Sequence, residues 1–491
     1  MRYLILLILS VNVFSQNTIT TFNQTFYADT NTISAVSLQS IGNEYFVVGD
    51  LDAINAYSAT YLQRLDEYGH VISEKIIYGD YCYSTILFGN CFEKTLDNNF
   101  VFSCNKGIDE LNTDYMLVKF TTLGDTIWTK TYEHTGRENH AQVVVCEEGG
   151  YLLVGVTVTG NSYQTYLIRT DDFGEVMWER EIGDVAIPLY AEQTQDNGFI
   201  ISGYHYNTTT GYDMYVLKTD AEGMVEWENT YGTDESDGGC YVNQVQNGKY
   251  KLVGNIDCLQ ESCETKLYLA SLDELGVIEW DKEYVFNEMT INSSHSFIGM
   301  DENILLVVSE WSDTDIRELH FTKFSSENGE IIWQKPIGSG ISSEDYIRDI
   351  EPTADGGYIL SGFNLTSPQR SWVVKTDALG NTCGIAPCDS TIYQLVDTGT
   401  YINNTRDKVF PLSIRPNPVI DRCFIDYELS AKYPFSVLEL YNLKGKKVHH
   451  TLLSSHETTA QIDIAHLASG IYLYKMINVD GVLVSGKLVK E

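Results

Sequence analysis

"YVLKTDAEGMVEWENTYG" (residues 215–232) is a β-hairpin written in sequence. "YVLK" (215–218) and "MVEW" (224–227) carry strand-type alternation on either side of a polar turn. Asp220 opens the turn with a side chain that accepts a hydrogen bond from a backbone N–H two residues on. Gly223 supplies the left-handed conformation that a short hairpin loop needs. Forty-nine residues earlier the chain reads "RTDDFGEVMWEREIG" (169–183), the same phrase with other decoration.

The phrase is a repeat. Its turn glycine recurs at Gly69, Gly124, Gly174, Gly223, Gly276, Gly329 and Gly380, at spacings of 55, 50, 49, 53, 53 and 51. Three residues earlier stands Asp66, Asp171, Asp220, Asp273 or Asp377, with Thr121 and Ser326 in the other two copies. Four residues later stands Trp128, Trp178, Trp227, Trp280 or Trp333, five of the seven tryptophans in the chain. Each Asp is alone in its turn, without the dense carboxylate spacing of a calcium loop, so the reading is a structural turn.

A second hairpin precedes each first one. "EGGYLLVGV" (148–156), "DNGFIISGY" (196–204) and "DGGYILSGF" (355–363) read as a turn followed by an apolar strand. Weaker alternation such as "YAEQT" (190–194) comes before. Four antiparallel strands per ~52-residue unit predict an all-β, seven-bladed β-propeller over residues 16–383. The recurrent Trp is expected to pack between neighbouring sheets. The seventh unit lacks a last strand, and "FNQTFY" (22–27) aligns with "WENTYG" (227–232), Phe22 in the place of Trp and Phe26 in that of Tyr231. The N-terminal strand is therefore expected to close the ring, removing two open sheet edges. Residues 355–380 resemble secreted bacterial propeller repeats, a resemblance that spans roughly residues 17–383 and implies a fold without catalytic residues.

Composition bounds the rest. With 43% apolar and 20% charged residues, 33 Tyr and 9 Pro, the 491-residue chain should fold into strands joined by Gly, Asn and Asp turns. "MRYLILLILSVNVFSQ" (1–16) reads as a secretory signal peptide over residues 1–15, too short to span a bilayer. The net charge is −36, yet residues 411–491 carry nine Lys/Arg and eight Asp/Glu, leaving −37 on the first 410. That step marks a domain boundary, and the acidic part should repel nucleic acid and anionic lipid. Export makes local disulfides reasonable among the ten cysteines, at Cys258 with Cys263, Cys383 with Cys388, and Cys82 with Cys91. Cys104, Cys146 and Cys240 lie in apolar strands and are expected as buried thiols.

Residues 384–410 read as a linker, and 411–491 as a small Ig-like β-sandwich with Lys-Gly and Asp-Gly turns. This last stretch resembles the C-terminal sorting domain of the type IX secretion system of Bacteroidota. The matching pieces are Pro416-Asn417-Pro418, Leu443 to Lys446, Leu467 to Tyr472, Lys487 and Lys490; Arg415 stands where the family often has an aromatic residue. The resemblance implies export through the periplasm to the outer cell surface or beyond, with residues 411–491 meeting the type IX machinery.

The search for chemistry is lean. "HETTA" (456–460) has Ala where a zinc-protease helix needs its second His, and no nucleophile elbow or phosphate loop exists. Neither a metal site nor a cofactor is expected. Repeat phase puts the loops 136–142, 232–240 and 340–349 at the ring mouth, with His140, Asp237, Asp345 and Arg348 as candidate ligand-binding residues. The leading expectation is a secreted or surface-attached module that binds glycan or protein. The alternative is a polysaccharide hydrolase or lyase with carboxylates at the mouth, and a purely structural surface protein stands third.

Overall fold

The structure, a computed structural model, describes residues 20–382, 392–394 and 412–490. The stretches 28–31, 53–57, 79–81, 84–90, 108–112, 161, 184–185, 257–265, 286–295, 300, 312–316, 341–343, 417, 428–434, 443–445, 455–457 and 479–480 lie outside that description. The expected signal peptide, most of the expected linker and Cys258, Cys263, Cys383 and Cys388 fall outside it too.

Every regular element described is a strand. Residues 22–394 form seven sheets, mostly four-stranded and antiparallel in chain order. The fourth is typical, with strands Ala186–Gln193, Phe199–Asn207, Gly211–Thr219 and Val225–Tyr231 side by side. The first strand of each sheet lies against the first strand of the next, and that of the seventh against that of the first.

The turn chemistry is as the repeat requires. Asp220 Oδ1 accepts the backbone N–H groups of Glu222 and Met224 at 3.0 and 2.8 Å, and Asp66, Asp171, Asp273 and Asp377 do the same in their own turns. The sixth copy differs from expectation. Ser325, not Ser326, opens that turn, because the loop is one residue longer and Gly329 N–H donates to the Ser325 carbonyl.

Beyond the turn the outer strand of each of the first six sheets carries a bulge. Trp227 pairs with Lys218 and Val225 with Thr219, leaving Glu226 as the extra residue. The bulge sets the indole over the edge of its sheet, where the next sheet's turn glycine meets it. A β-carbon on Gly276 would come within 2.8 Å of Trp227, and one on Gly223 within 2.6 Å of Trp178. Gly174 sits likewise on Trp128, Gly329 on Trp280 and Gly380 on Trp333. Tyr231 follows with a hydroxyl that donates to the Gly276 carbonyl at 2.6 Å. The Trp is thus a joint between sheets, as expected.

The apolar core is distributed among these joints. Seven clusters each draw on two successive sheets, and one combines the seventh sheet (Phe22, Phe26, Ile359, Val373) with the first (Ile33, Tyr45, Tyr61, Leu65). Phe22–Tyr27 pairs antiparallel with Arg370–Thr376, from Phe22 opposite Lys375 to Phe26 opposite Ser371. Phe22 meets Gly69 of the first sheet as a Trp would, and its ring lies 5.8 Å from Tyr45. The Trp372 indole donates to Asn23 Oδ1 at 2.7 Å. One element was not foreseen: Ile392–Gln394, inside the expected linker, adds to the N-terminal strand in parallel.

A further repeated device ties strand to turn. Lys119, Lys218, Lys323 and Lys375, all buried on third strands, pair with Asp97, Asp196, Asp301 and Asp355 of the turns at 2.9, 2.8, 2.6 and 2.6 Å. Burial works to raise these carboxyls, but the ammonium and neighbouring hydrogen bonds outweigh it and hold all four below the usual carboxylate range.

The cysteines correct the sequence reading. Cys91 is a buried free thiol and makes no bridge to Cys82. It is packed among apolar side chains including Phe92, Phe100 and Phe120. Cys146 and Cys240 are buried thiols as expected, while Cys104 is disulfide-bonded. The C-terminal residues build a three-stranded and a four-stranded sheet around one core that includes Cys423, Ile425, Leu438, Leu440 and Met476.

Candidate functional site

The four residues picked out by repeat phase do not form one site. His140 lies on the bulged strand Arg137–Val145, and its side chain is outside the described residues. Asp237 is fully buried and accepts the Thr233 N–H at 2.7 Å and the Thr233 hydroxyl at 3.1 Å. Asp345, two repeats on, does the same for Ser339, at 2.7 and 2.8 Å. Burial pushes its carboxyl up to about 6 against the pull of the Ser339 bonds. Both aspartates therefore brace the loop between two sheets. Arg348 lies over the Phe363 ring, 5.1 Å from its centroid. Burial lowers its guanidinium, with Tyr241 and Tyr346 opposing.

The structure gathers a different set, on the first strands. Glu93, Glu192 and Glu351 occupy one repeat phase, each two residues before the Thr (Thr95, Thr194, Thr353) whose N–H closes the following turn. Gln39 and Asn243 hold the same phase in the first and fifth sheets. Bulges at Ala35/Ser37, Pro188/Tyr190 and Ile347/Asp349 precede these positions and re-aim the side chains.

Contacts run across the joints. Asp349 accepts from Ser37 Oγ at 2.7 Å, Leu38 N at 2.8 Å and Ile350 N at 2.8 Å. Gln39 Nε2 donates to the Phe92 carbonyl at 3.3 Å and to Glu351 at 3.5 Å. Asn243 Nδ2 donates to the Tyr190 hydroxyl at 2.8 Å and to Glu192 at 2.9 Å, and Tyr190 donates to Glu192 at 3.1 Å.

Electrostatics separate the carboxyls. Burial and then the charge of Asp349 push Glu93 up to about 8. Burial, Asp349 and Glu93 together raise Glu351 well above its ordinary range. Burial also raises Asp349, to about 6, but its three donors favour the anion and hold it below the two glutamates. Burial lifts Glu192 to about 7 against the hydrogen bonds of Gln244, Asn243 and Tyr190. The arrangement can donate protons at neutral pH and bind hydroxyl groups. Among the described residues, no group of His, Cys, Asp and Glu side chains could hold a metal ion.

Residues 413–491 match the family described as the secretion system C-terminal sorting domain. That domain implies export to the cell surface or secretion and an interaction with the type IX machinery. Among the described residues, no helix is long and apolar enough to cross a membrane. No curated protein matches the chain. Solved structures with a similar course include the polysaccharide lyase Uly1, at TM-score 0.47 and 9% identity, covering 70% of this chain and 90% of that one. A protein of unknown function from Dyadobacter fermentans has TM-score 0.41 and 10% identity, covering 72% and 98%. An α-L-arabinofuranosidase from Fusarium graminearum has TM-score 0.40 and 10% identity, covering 60% and 98%.

Proposed function

We propose that this chain is a secreted or surface-attached binding module. In this reading residues 16–383 are a seven-bladed β-propeller closed by the N-terminal strand. Residues 1–15 are a signal peptide and 384–410 a linker. Residues 411–491 are an Ig-like sorting domain that takes the protein through the type IX system, the route used by Bacteroidota. The support for closure is the cyclic order of the seven apolar clusters, with Phe22 making the last joint.

The ligand, glycan or protein, binds at the polar set on the first strands. The observation that carries this is a pair of preorganised polar groups that cross sheets, Tyr190–Glu192–Asn243 between the fourth and fifth and Gln39–Glu351 between the first and seventh, with Glu93 acting electrostatically on both Tyr190 and Glu351. Two measurements test the reading. Removal of residues 411–491 is expected to leave the protein in the periplasm, and secretion without them would overturn the export half. Asn243→Ala is expected to weaken capture of glycan or surface protein about tenfold by loss of one buried polar anchor. Unchanged capture would overturn the binding half.

A second reading is favoured by one specific observation, the closeness of three buried carboxyls, with Asp349 raising both Glu93 and Glu351 by its charge. Carboxyls so grouped could cleave a polysaccharide as acid and base. Product release from a neutral or uronic polysaccharide, lost in Glu351→Gln, supports it; binding without release excludes it.

A further inference from the structure

The rim of the fourth sheet presents three tyrosines on one face of a hairpin. Tyr204 and Tyr206 lie two apart near the end of Phe199–Asn207, and Tyr212 pairs directly with Tyr206. The Tyr204 and Tyr212 rings are 5.2 Å apart at 88°, and those of Tyr206 and Tyr212 are 5.2 Å apart at 64°. Tyr206 is 43% exposed and Tyr212 37%. Beside them is a cleft of about 300 Å³ with Tyr204 and Tyr212 as walls and Asp237, Gly238 and Gly239 completing the lining.

Two features say what the cleft would take. Tyrosines on the third strands have their hydroxyls bound within the protein: Tyr166 by Glu179, Tyr215 by Glu228, Tyr268 by Asp281, Tyr61 by Ser371 and Tyr115 by the Asn139 carbonyl. Among the described residues, no protein group is hydrogen-bonded to the hydroxyls of Tyr204, Tyr206 or Tyr212. They remain available to an incoming ligand. The one charge in the lining, Asp237, is spent on Thr233, so the cleft offers no free carboxylate to a cation. The protein's net charge of −36 opposes an anionic chain. Flat apolar ring faces with free hydroxyls at their edges, beside a carboxylate whose oxygens are already taken by Thr233, match a neutral pyranose ring, whose C–H face stacks while its hydroxyls hydrogen-bond.

We infer that the Tyr204–Tyr206–Tyr212 cleft is a binding subsite for the neutral sugar units of a polysaccharide. This rests on the binding-module reading and chooses glycan within it. The site is separate from the polar set on the first strands.

The test is affinity electrophoresis of the full chain in gels holding soluble β-glucan, galactomannan, xylan or starch, with polygalacturonate and polylysine as charged arms. The wild type is retarded by at least one neutral polymer. A Tyr206→Ala, Tyr212→Ala double variant, with its melting temperature checked, loses about tenfold in affinity, since two stacking contacts are worth roughly 1.4 kcal/mol together. Tyr206→Phe with Tyr212→Phe keeps the ring faces and most of the retardation. If the wild type is retarded by no neutral polymer, or only by a charged one, the inference is overturned. Equal retardation of the alanine variant overturns the cleft alone and leaves the binding-module reading standing, with Asn243→Ala then locating the site.

Discussion

The joint between the fourth and fifth sheets and the seam between the seventh and first make the same contact with different parts of the chain. At the joint, Trp227 meets Gly276, forty-nine residues downstream, and Tyr231 adds a hydrogen bond to the Gly276 carbonyl. At the seam, Phe22 meets Gly69, and Phe26 has no hydroxyl to add. The seam compensates with burial. Phe22 is 2% exposed and Phe26 fully buried, whereas Trp227 is half-buried. Bonds from Trp372 to Asn23 and from Lys375 to the Thr20 carbonyl hold the N-terminal strand to its own sheet, and across the seam the Tyr61 hydroxyl donates to Ser371 Oγ at 2.8 Å, as the Trp227 indole donates to the Glu274 carbonyl at 3.2 Å across the joint. An internal joint is held by chain connectivity on both sides. The seam depends on six residues at one end, so it has to be the better packed.

That contrast is broken most severely by removing the strand. Deleting residues 17–27 exposes the edge of Arg370–Thr376 and takes Phe22 and Phe26 out of one of the seven clusters. The melting temperature is expected to fall by roughly 10 °C or more, and an unchanged melting curve would refute seam closure.

Single side chains sharpen it. Phe22→Ala should cost about 4 kcal/mol as a fully buried aromatic truncation. Trp227→Ala should cost clearly less, being half-buried; equal costs in urea unfolding would erase the distinction. Next come the ion pairs. Asp355→Ala leaves Lys375 buried without its carboxylate and should cost about 3 kcal/mol. Asp196→Ala should cost less, because Lys218 keeps Glu226 at 2.9 Å.

The smallest effect is the pH profile, which sets the turns against the first strands. Asp97, Asp196, Asp301 and Asp355 titrate below their unfolded values, so below pH 4 the unfolded chain binds more protons and stability falls with acid. Glu93 and Glu192 are raised to about 8 and about 7, so the folded chain binds more protons from about pH 4.5 upward and stability falls as pH rises through that window. The melting temperature should peak near pH 4–5. Glu93→Gln should flatten the limb between pH 5 and 8 by a few degrees, at roughly 2–4 °C per kcal/mol; a parallel curve would contradict the assignment.

Much of the fold was legible because its cause is local. A turn Asp, a left-handed Gly and a Trp at fixed spacing repeat wherever the same hairpin is needed, and Phe22 and Phe26 could be aligned to that phase. Ser325 was misplaced by one because a single inserted residue leaves the glycine count intact. The site was less legible. Asp237 and Asp345 fall in the right loops, but sequence does not tell a ligand carboxylate from one that braces Thr233 or Ser339. Glu93, Glu192 and Glu351 carried a signal, a shared phase two residues before a Thr. Their meaning comes only from long-range closure, which brings residues 39, 93 and 351 side by side. The Tyr204–Tyr212 cleft likewise needs strand register to bring its rings together.

Native-state hydrogen exchange compares seam and joint most directly. Amides of Phe22–Tyr27 and Arg370–Thr376 should be protected as strongly as those of Gly211–Thr219 and Val225–Tyr231, exchanging only with opening of the whole ring. Exchange of residues 22–27 at rates close to those of an open chain, with the internal strands still protected, would contradict closure by the N-terminal strand.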